Sequence, residues 1–213
     1  QLYQAVTEYV QEEFNRADNL NKEHKTTVGF ALTILQRRLA SSPEAIYQSL
    51  HRRRERLEHR LAEEKMGKRT ADYGYEDLNE LDDDDLSPDE QETMEEKVVD
   101  HASAAATIAE LEAEICTLRE LEKMANTVRT SGVDRKWDEL SHLLQDNRTM
   151  FSEDGQREKL IIFTEHKDTL HYLTEKIRSL FGNKESVVTI HGCMLRDERR
   201  KVEQLFKQDV GVR

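Results

Sequence analysis

The stretch KLIIFTEHKDTLHYLTEKIRSLFGNKESVVTI, residues 159–190, decides the fold that the sequence predicts. It opens with a continuous apolar run at 160–163 and closes with a β-branched run at 187–190, and each run has the length of a buried strand. Between them, apolar residues recur at helical spacing until Gly182. A span of about 30 residues fits one strand-helix-strand unit, whose two strands lie parallel in a sheet.

Further elements are predicted on both sides of this unit. Residues 137–144 have the pattern of a short amphipathic helix, and another helix is indicated over about 195–208. The last residues, 210–213, resemble the opening of a third strand. We therefore expect residues 133–213 to begin a parallel α/β domain that is cut off, and the chain, which does not start with methionine, to be a piece of a longer protein.

The N-terminal part of the chain is predicted to be helical. Apolar residues at helical spacing indicate amphipathic helices over 2–20 and about 26–40. The sequence SSPE at 41–44 marks a helix stop and a new start, with Ser41 as the capping residue and proline in the first turn. A third amphipathic helix over 44–66 follows.

A longer helix is expected to start at SPDE, residues 87–90, because no glycine follows until Gly132. Its apolar residues have the three-and-four spacing of a coiled coil, which predicts a hairpin with the 44–66 helix. The seam consists of Ala104, Ile108, Leu111, Ile115, Leu118, Ala125 and Val128. Residues 1–132 are thus predicted to be a helical linker and coiled-coil-like brace, with an acidic loop at about 68–87. The expected fold class is mixed α and α/β, predominantly helical.

The composition narrows the class of protein. Hydrophobic and charged residues each make up 36% of the 213 residues, which favours elements with broad solvent-facing surfaces. Two prolines and eight glycines are too few for a turn-rich β-sandwich. The cysteines, Cys116 and Cys193, form no paired motif, which predicts a reducing, cytoplasmic setting. No apolar run is long enough to cross a bilayer, so no membrane association is expected.

Arginines near the N-terminus are candidate phosphate contacts. Residues 22–70 hold 12 basic and 6 acidic side chains, whereas residues 71–126 hold 3 basic and 19 acidic side chains. The net charge of -12 therefore conceals a basic region. The candidates for nucleic-acid contact are Arg37, Arg38, Arg52 and Arg53. The alternative is a solvated helix face whose arginines pair with the acidic segment.

Two segments directly after the predicted strands are the most site-like parts of the chain, because open parallel sheets bind ligands beside the carboxyl ends of their strands. The residues concerned are Thr164, Glu165, His166, Lys167, His191 and Gly192. The alternative is a pair of ordinary strand-to-helix turns, with Gly192 present for its backbone freedom. A phosphate-binding loop is not indicated, since GKRT at 67–70 lacks the upstream glycine and has no hydroxyl residue directly after its lysine.

These blocks resemble the superfamily II helicase-like ATPases of the Swi/Snf class. KLIIFTEH at 159–166 looks like the motif IV strand of their second RecA-like lobe. IHGCM at 190–194, followed by a helix carrying Arg199 and Phe206, resembles the next conserved block. Residues 136–144 are similar to the helix that opens this lobe. The resemblance implies that residues 133–213 are the start of a RecA-like parallel α/β lobe.

The N-terminal blocks extend the resemblance. LQRRLASSP at 35–43 looks like part of the helical segment that joins the two lobes in this family. The similar proteins are bacterial relatives of the RNA-polymerase-recycling translocase and helicases of phage-defence clusters. The resemblance implies a parent enzyme that hydrolyses ATP, with ATP and Mg²⁺ between two lobes, and moves on duplex DNA or RNA.

The fragment itself is expected to be inactive and to bind no cofactor, because it lacks the Walker A and Walker B motifs and the arginine finger. Its expected contribution is lobe linkage and part of the nucleic-acid track. The alternative function is a helical scaffold whose hairpin recruits a protein partner without catalysis. An incomplete sheet also exposes an edge, which predicts self-association.

Overall fold

The computed structural model describes residues 1–17, 22–66, 88–146, 150–151, 153, 158–209 and 211–212. Over these residues the chain is predominantly helical, and no β-strand occurs among them. The chain divides into two compact units, Gln1–Ser131 and Gly132–Arg213, which are described separately. The predicted acidic loop at 68–87 lies outside the described residues.

The helices of the first unit surround one apolar core. They are α1 (Leu2–Ala17), α2 (Lys22–Ser41), α3 (Pro43–Lys65), α4 (Pro88–His101) and α5 (Ile108–Ser131). Apolar residues recur every three or four positions, so each helix has one face to bury, and these faces meet in a single cluster. Its buried members include Val6, Tyr9, Leu32, Leu35, Ile46, Leu50, Leu57, Val99, Leu111, Ile115 and Leu118.

A serine and a proline set the start of α3. Ser42 Oγ accepts a hydrogen bond from the backbone N–H of Ala45 at 3.0 Å, and Pro43 occupies the first helical position. The capping residue is therefore Ser42, and the prediction of Ser41 was wrong because α2 continues through Ser41.

Helices α3 and α5 lie side by side and antiparallel. Along their length the cross-helix ion pairs are Lys65–Glu112 (2.5 Å), Glu58–Arg119 (2.7 Å), Arg54–Glu122 (2.5 Å) and Glu44–Arg129 (3.2 Å). In these pairs, residue numbers decrease along α3 as they increase along α5, so the two helices run antiparallel. This arrangement is the hairpin that the apolar seam predicted. Ion pairs at or near a helix surface contribute little each, so the buried seam supplies most of the stabilisation.

Residues 102–107 separate α4 from α5, so the predicted continuous helix over 88–130 is wrong. The break is buried at Ala102 and Ala104. It ends in a capping box, in which Thr107 Oγ1 accepts from the Glu110 N–H at 3.2 Å and Glu110 Oε2 accepts from the Thr107 N–H at 3.1 Å. Serine and threonine hydroxyls compete with helical backbone hydrogen bonds, which favours a break at this point.

Replacing Thr107 with alanine is expected to lower the free energy of unfolding of the first unit by about 1 kcal/mol, because α5 then begins without a side-chain cap. The control is Thr117→Ala within α5, where the threonine hydroxyl donates to the carbonyl of Ala113 and alanine is the better helix former. Urea unfolding followed by far-ultraviolet circular dichroism measures both variants. Equal stability of the two variants would show that the capping box contributes nothing.

The second unit contains α6 (Arg135–Gln145), α7 (Lys167–Phe181), a 3-10 turn (Lys184–Ser186) and α8 (Arg196–Gln208) among its described elements. A small apolar cluster holds it together. The cluster is formed by Leu144, Met150 and Ile177, with Trp137, Leu140, Phe151, Leu160, Leu173, Leu180, Phe181 and Val187 packed against them.

Asp134 joins α6 to α7. Its Oδ1 caps α6 by accepting from the backbone N–H groups of Lys136 and Trp137, at 3.0 and 3.2 Å. Its Oδ2 accepts from the Tyr172 hydroxyl at 2.9 Å. The same carboxylate therefore caps the start of α6 and ties it to a side chain of α7.

Neither predicted strand forms in the described part of the chain. Residues 160–163 and 187–190 are non-helical, as predicted, but no backbone hydrogen-bond ladder joins them. Phe163 is 91% exposed, and Ile161 and Ile190 are exposed as well. A parallel strand pair needs covered faces and further strands to be stable, which these segments do not have here. Of the predicted third strand at 210–213, only 211 and 212 are described, and they are not in a strand.

Candidate nucleic-acid interface

The two loops predicted as a site in the second unit meet each other. Lys167 is the first residue of α7, and its Nζ donates a hydrogen bond to Cys193 Sγ at 3.2 Å. Cys193 lies in the turn that precedes α8, beside His191 and Gly192. The structure thus places 164–167 and 191–194 on one side of this unit.

Arg199 holds the second loop in shape. From the first turn of α8 its guanidinium donates to the carbonyl of Gly192 at 2.5 Å and to that of Met194 at 3.0 Å. The Met194 N–H donates to the His191 carbonyl at 3.2 Å and closes the turn. Arg199 was not among the predicted site residues, although it belongs to the block that carried the resemblance. Its role here is to position the loop.

The predicted residues of these loops differ in accessibility. His166 is 1% exposed, and its Nε2 lies 3.6 Å from Glu165 Oε2. Thr164, Lys167, His191 and Gly192 are half-buried, and Glu165 is exposed. A ligand from solution therefore reaches Lys167 and the second loop but does not reach the His166 imidazole.

Arg53 is part of the core of the first unit. It is 1% exposed, and its guanidinium donates to the Tyr9 hydroxyl at 2.9 Å, to Glu114 Oε1 at 2.7 Å and to the Val99 carbonyl. Such a guanidinium is not available to a phosphate in solution. The prediction of Arg53 as a nucleic-acid contact is therefore corrected, because α3 turns this residue inward.

Glu114 is the acceptor at the centre of this buried network. Besides Arg53, it accepts from the Tyr9 hydroxyl at 2.9 Å and from Ser103 Oγ at 2.5 Å. A second buried carboxylate, Glu13, pairs with Arg16 at 2.9 Å through one oxygen. Burial, followed by the nearby Glu114 charge, raises the pKa of Glu13 to about 7.

The other three predicted arginines converge on two glutamates of α4. Arg37 pairs with Glu95 at 3.2 Å. Arg38 and Arg52, from α2 and α3, both reach Glu96 Oε1, at 3.5 and 3.3 Å. These contacts match the alternative in which the arginines pair with the acidic part of the chain. Arg38 is 1% exposed, so its guanidinium, like that of Arg53, is not available to a phosphate in solution, and the prediction of Arg38 as a nucleic-acid contact is corrected in the same way.

The described residues lack two other kinds of feature. No group of three His, Cys, Asp or Glu side chains there is placed to hold a metal ion. No helix of the described part is long and apolar enough to span a membrane. Comparison of the chain with protein-family models, curated proteins and solved structures finds no significant match.

Proposed function

We propose that this chain belongs to an ATP-dependent nucleic-acid translocase of the Swi/Snf class, in which it supplies a helical brace and the start of the second RecA-like lobe. The observation that carries the proposal is the contact between Lys167 and Cys193, at 3.2 Å. It joins the two loops that follow the predicted strands. Parallel strands place such loops at one edge of a sheet, where these enzymes bind their ligands.

The exposed apolar segments support the same proposal. Ile161, Phe163 and Ile190 present large apolar side chains to solvent. Further strands of a parallel sheet would cover them in the whole protein. In the isolated chain the same segments favour self-association.

Phosphate contact is the chemistry that the paired loops would supply. Lys167 carries a positive charge, the Thr164 hydroxyl is a hydrogen-bond donor, and Gly192 allows a backbone to approach closely. Such contacts position a duplex without reading its sequence. ATP and Mg²⁺ would bind elsewhere in the whole protein, so no step of ATP hydrolysis is assigned to these residues.

Replacing Lys167 with alanine is expected to weaken binding to a short labelled DNA duplex about three- to tenfold at low salt. The slope of log K against log salt is expected to fall by about one, as for the loss of one phosphate contact. The control is Lys123→Ala, which removes the same charge from an exposed position on α5. Fluorescence anisotropy over a salt series measures both variants. Equal binding by the two variants would contradict the proposed track.

A helical scaffold is the second candidate function. The observation that favours it is the pairing of Arg37, Arg38 and Arg52 with glutamates of α4, which engages three of the arginines that were predicted to contact nucleic acid. Absence of duplex binding at low salt, together with no effect of Lys167→Ala, would favour the scaffold over the translocase.

A further inference from the structure

We propose that Lys167 and Cys193 form a redox-sensitive pair, in which dioxygen joins the two side chains through a covalent Nζ–O–Sγ bridge. Lys167 Nζ lies 3.2 Å from Cys193 Sγ. One oxygen atom bonded to both the nitrogen and the sulfur spans a gap of this size after a small approach of the two side chains. The inference goes beyond the proposed function, because the bridge forms whether or not a nucleic acid binds to these loops.

The backbone on both sides of the pair is held in place. Lys167 is the first residue of α7. Cys193 lies between Gly192 and Met194, and the Arg199 guanidinium donates a hydrogen bond to the carbonyl of each of these two neighbours. Because both segments are fixed in this way, only side-chain rotations of the lysine and the cysteine are needed before the bridge can form.

The Cys193 thiol is accessible from solution. Its side chain is exposed, so dioxygen and small thiols reach the sulfur. Cysteine sulfur is readily oxidised, and oxidised sulfur can then bond to a nearby nucleophile. Cys116, the other exposed cysteine, makes no such contact with a lysine in the described part of the chain. The chain therefore carries two exposed thiols that differ in the one contact on which the bridge depends.

The atoms and electrons of the step balance. The S–H bond and one N–H bond break, and S–O and O–N bonds form. Dioxygen is cleaved, so that one oxygen atom becomes the bridge and the other leaves as water with the two hydrogens. Sulfur and nitrogen each give up two electrons, and dioxygen takes up all four. Two equivalents of dithiothreitol return four electrons and restore the thiol and the amine, with release of water.

The bridge changes the chemistry of both loops. Lys167 loses its positive charge, because a nitrogen bonded to oxygen is much less basic than a lysine amine. Segments 164–167 and 191–194 also become covalently joined. Oxidation would therefore remove the phosphate contact that Lys167 is proposed to make, and reduction would restore it. This consequence, unlike the bridge itself, rests on the proposed function.

The test is mass spectrometry of the full chain after incubation in air-saturated buffer and unfolding without reductant. We expect a mass gain of one oxygen atom less two hydrogen atoms, located by digestion in a cross-linked peptide pair that contains Lys167 and Cys193. Dithiothreitol should abolish the gain. Lys167→Arg and Cys193→Ser should also abolish it, whereas the matched control, Cys116→Ser, should retain it.

Three other results would overturn the bridge. One is an unchanged mass after incubation in air. Another is a gain of one whole oxygen atom at Cys193 that persists in Lys167→Arg, which would identify an ordinary sulfenic acid. The third is a disulfide between Cys116 and Cys193, or between two chains, as the sole oxidation product.

Binding to a labelled DNA duplex separates the bridge from the proposed function. The bridged chain is expected to bind about three- to tenfold more weakly than the reduced chain, as is Lys167→Ala. Equal affinities of the bridged and reduced chains would support the bridge and contradict the phosphate contact. Absence of the bridge, together with weaker binding by Lys167→Ala, would overturn the bridge and leave the proposed function intact.

Discussion

Replacing Arg53 with methionine is expected to lower the free energy of unfolding of the first unit by about 3–5 kcal/mol. Methionine fills a similar volume, so the loss reflects charge and hydrogen bonding more than a cavity. Glu114, buried in the core, would lose its partner at 2.7 Å and keep only the hydroxyls of Tyr9 and Ser103 as donors. A buried carboxylate without a cation costs several kcal/mol or takes up a proton.

The matched control for Arg53→Met is Arg56→Met on the exposed side of α3, which is expected to change the free energy of unfolding by less than about 0.5 kcal/mol. Urea unfolding followed by far-ultraviolet circular dichroism reports mainly the helices of the first unit. Trp137, the single tryptophan, reports the second unit by fluorescence. Addition of Glu114→Gln to Arg53→Met should restore part of the loss. A loss below about 1 kcal/mol would show that the network contributes little.

Replacing Glu13 with glutamine is expected to stabilise the first unit at and above neutral pH. Glu13 is 2% exposed, and its pKa is raised from an ordinary 4.5 to about 7, chiefly by burial. The folded chain therefore holds this proton more tightly than the unfolded chain does. As the pH rises from 4.5 to about 7, the free energy of unfolding falls by about 3 kcal/mol in all. Above about pH 7 this contribution is constant. Glutamine carries no charge and avoids this loss.

The expected pH profile distinguishes this effect from a general change in charge. Near pH 4 the wild type and Glu13→Gln should have about equal stability, whereas near pH 8 the variant should be more stable by about 2–3 kcal/mol. Glu120→Gln, at an exposed position on α5, should follow the wild-type profile. Asp100, whose pKa is also raised, adds the same slope to every variant and cancels in the difference. Parallel profiles of wild type and Glu13→Gln would contradict a raised pKa at Glu13.

Periodicity predicted the helices of the first unit and the pairing of α3 with α5, because amphipathic patterns and local caps determine both. The break at 102–107 was missed because alanine is compatible with helix. A local signal was present in Thr107 and Glu110, which form a capping box.

The burial of Arg53 could have been predicted from the same periodicity. It lies three residues after Leu50 and four before Leu57, within the buried stripe of α3. Glu114 stands between Leu111 and Leu118 on α5 in the same way. Charged residues at core spacing on two paired helices indicate a buried ion pair. Arg52, one residue away, is turned by about 100° toward α4.

The second unit could be predicted less well, because a parallel sheet depends on partners distant in sequence. The runs at 160–163 and 187–190 are correctly non-helical, but a strand is defined by its neighbours as much as by its own residues. Helices α7 and α8 form where the spacing placed them. The contact between Lys167 and Cys193 could not be read from the sequence, since it joins segments 26 residues apart.

The buried pair of Arg53 and Glu114 has a mechanical consequence for the α3 and α5 hairpin. A slip of one helical turn, about 5.4 Å, would carry the guanidinium past its carboxylate and leave each charge facing aliphatic side chains. Sliding of the two helices past each other is thereby opposed, so the buried pair fixes their register.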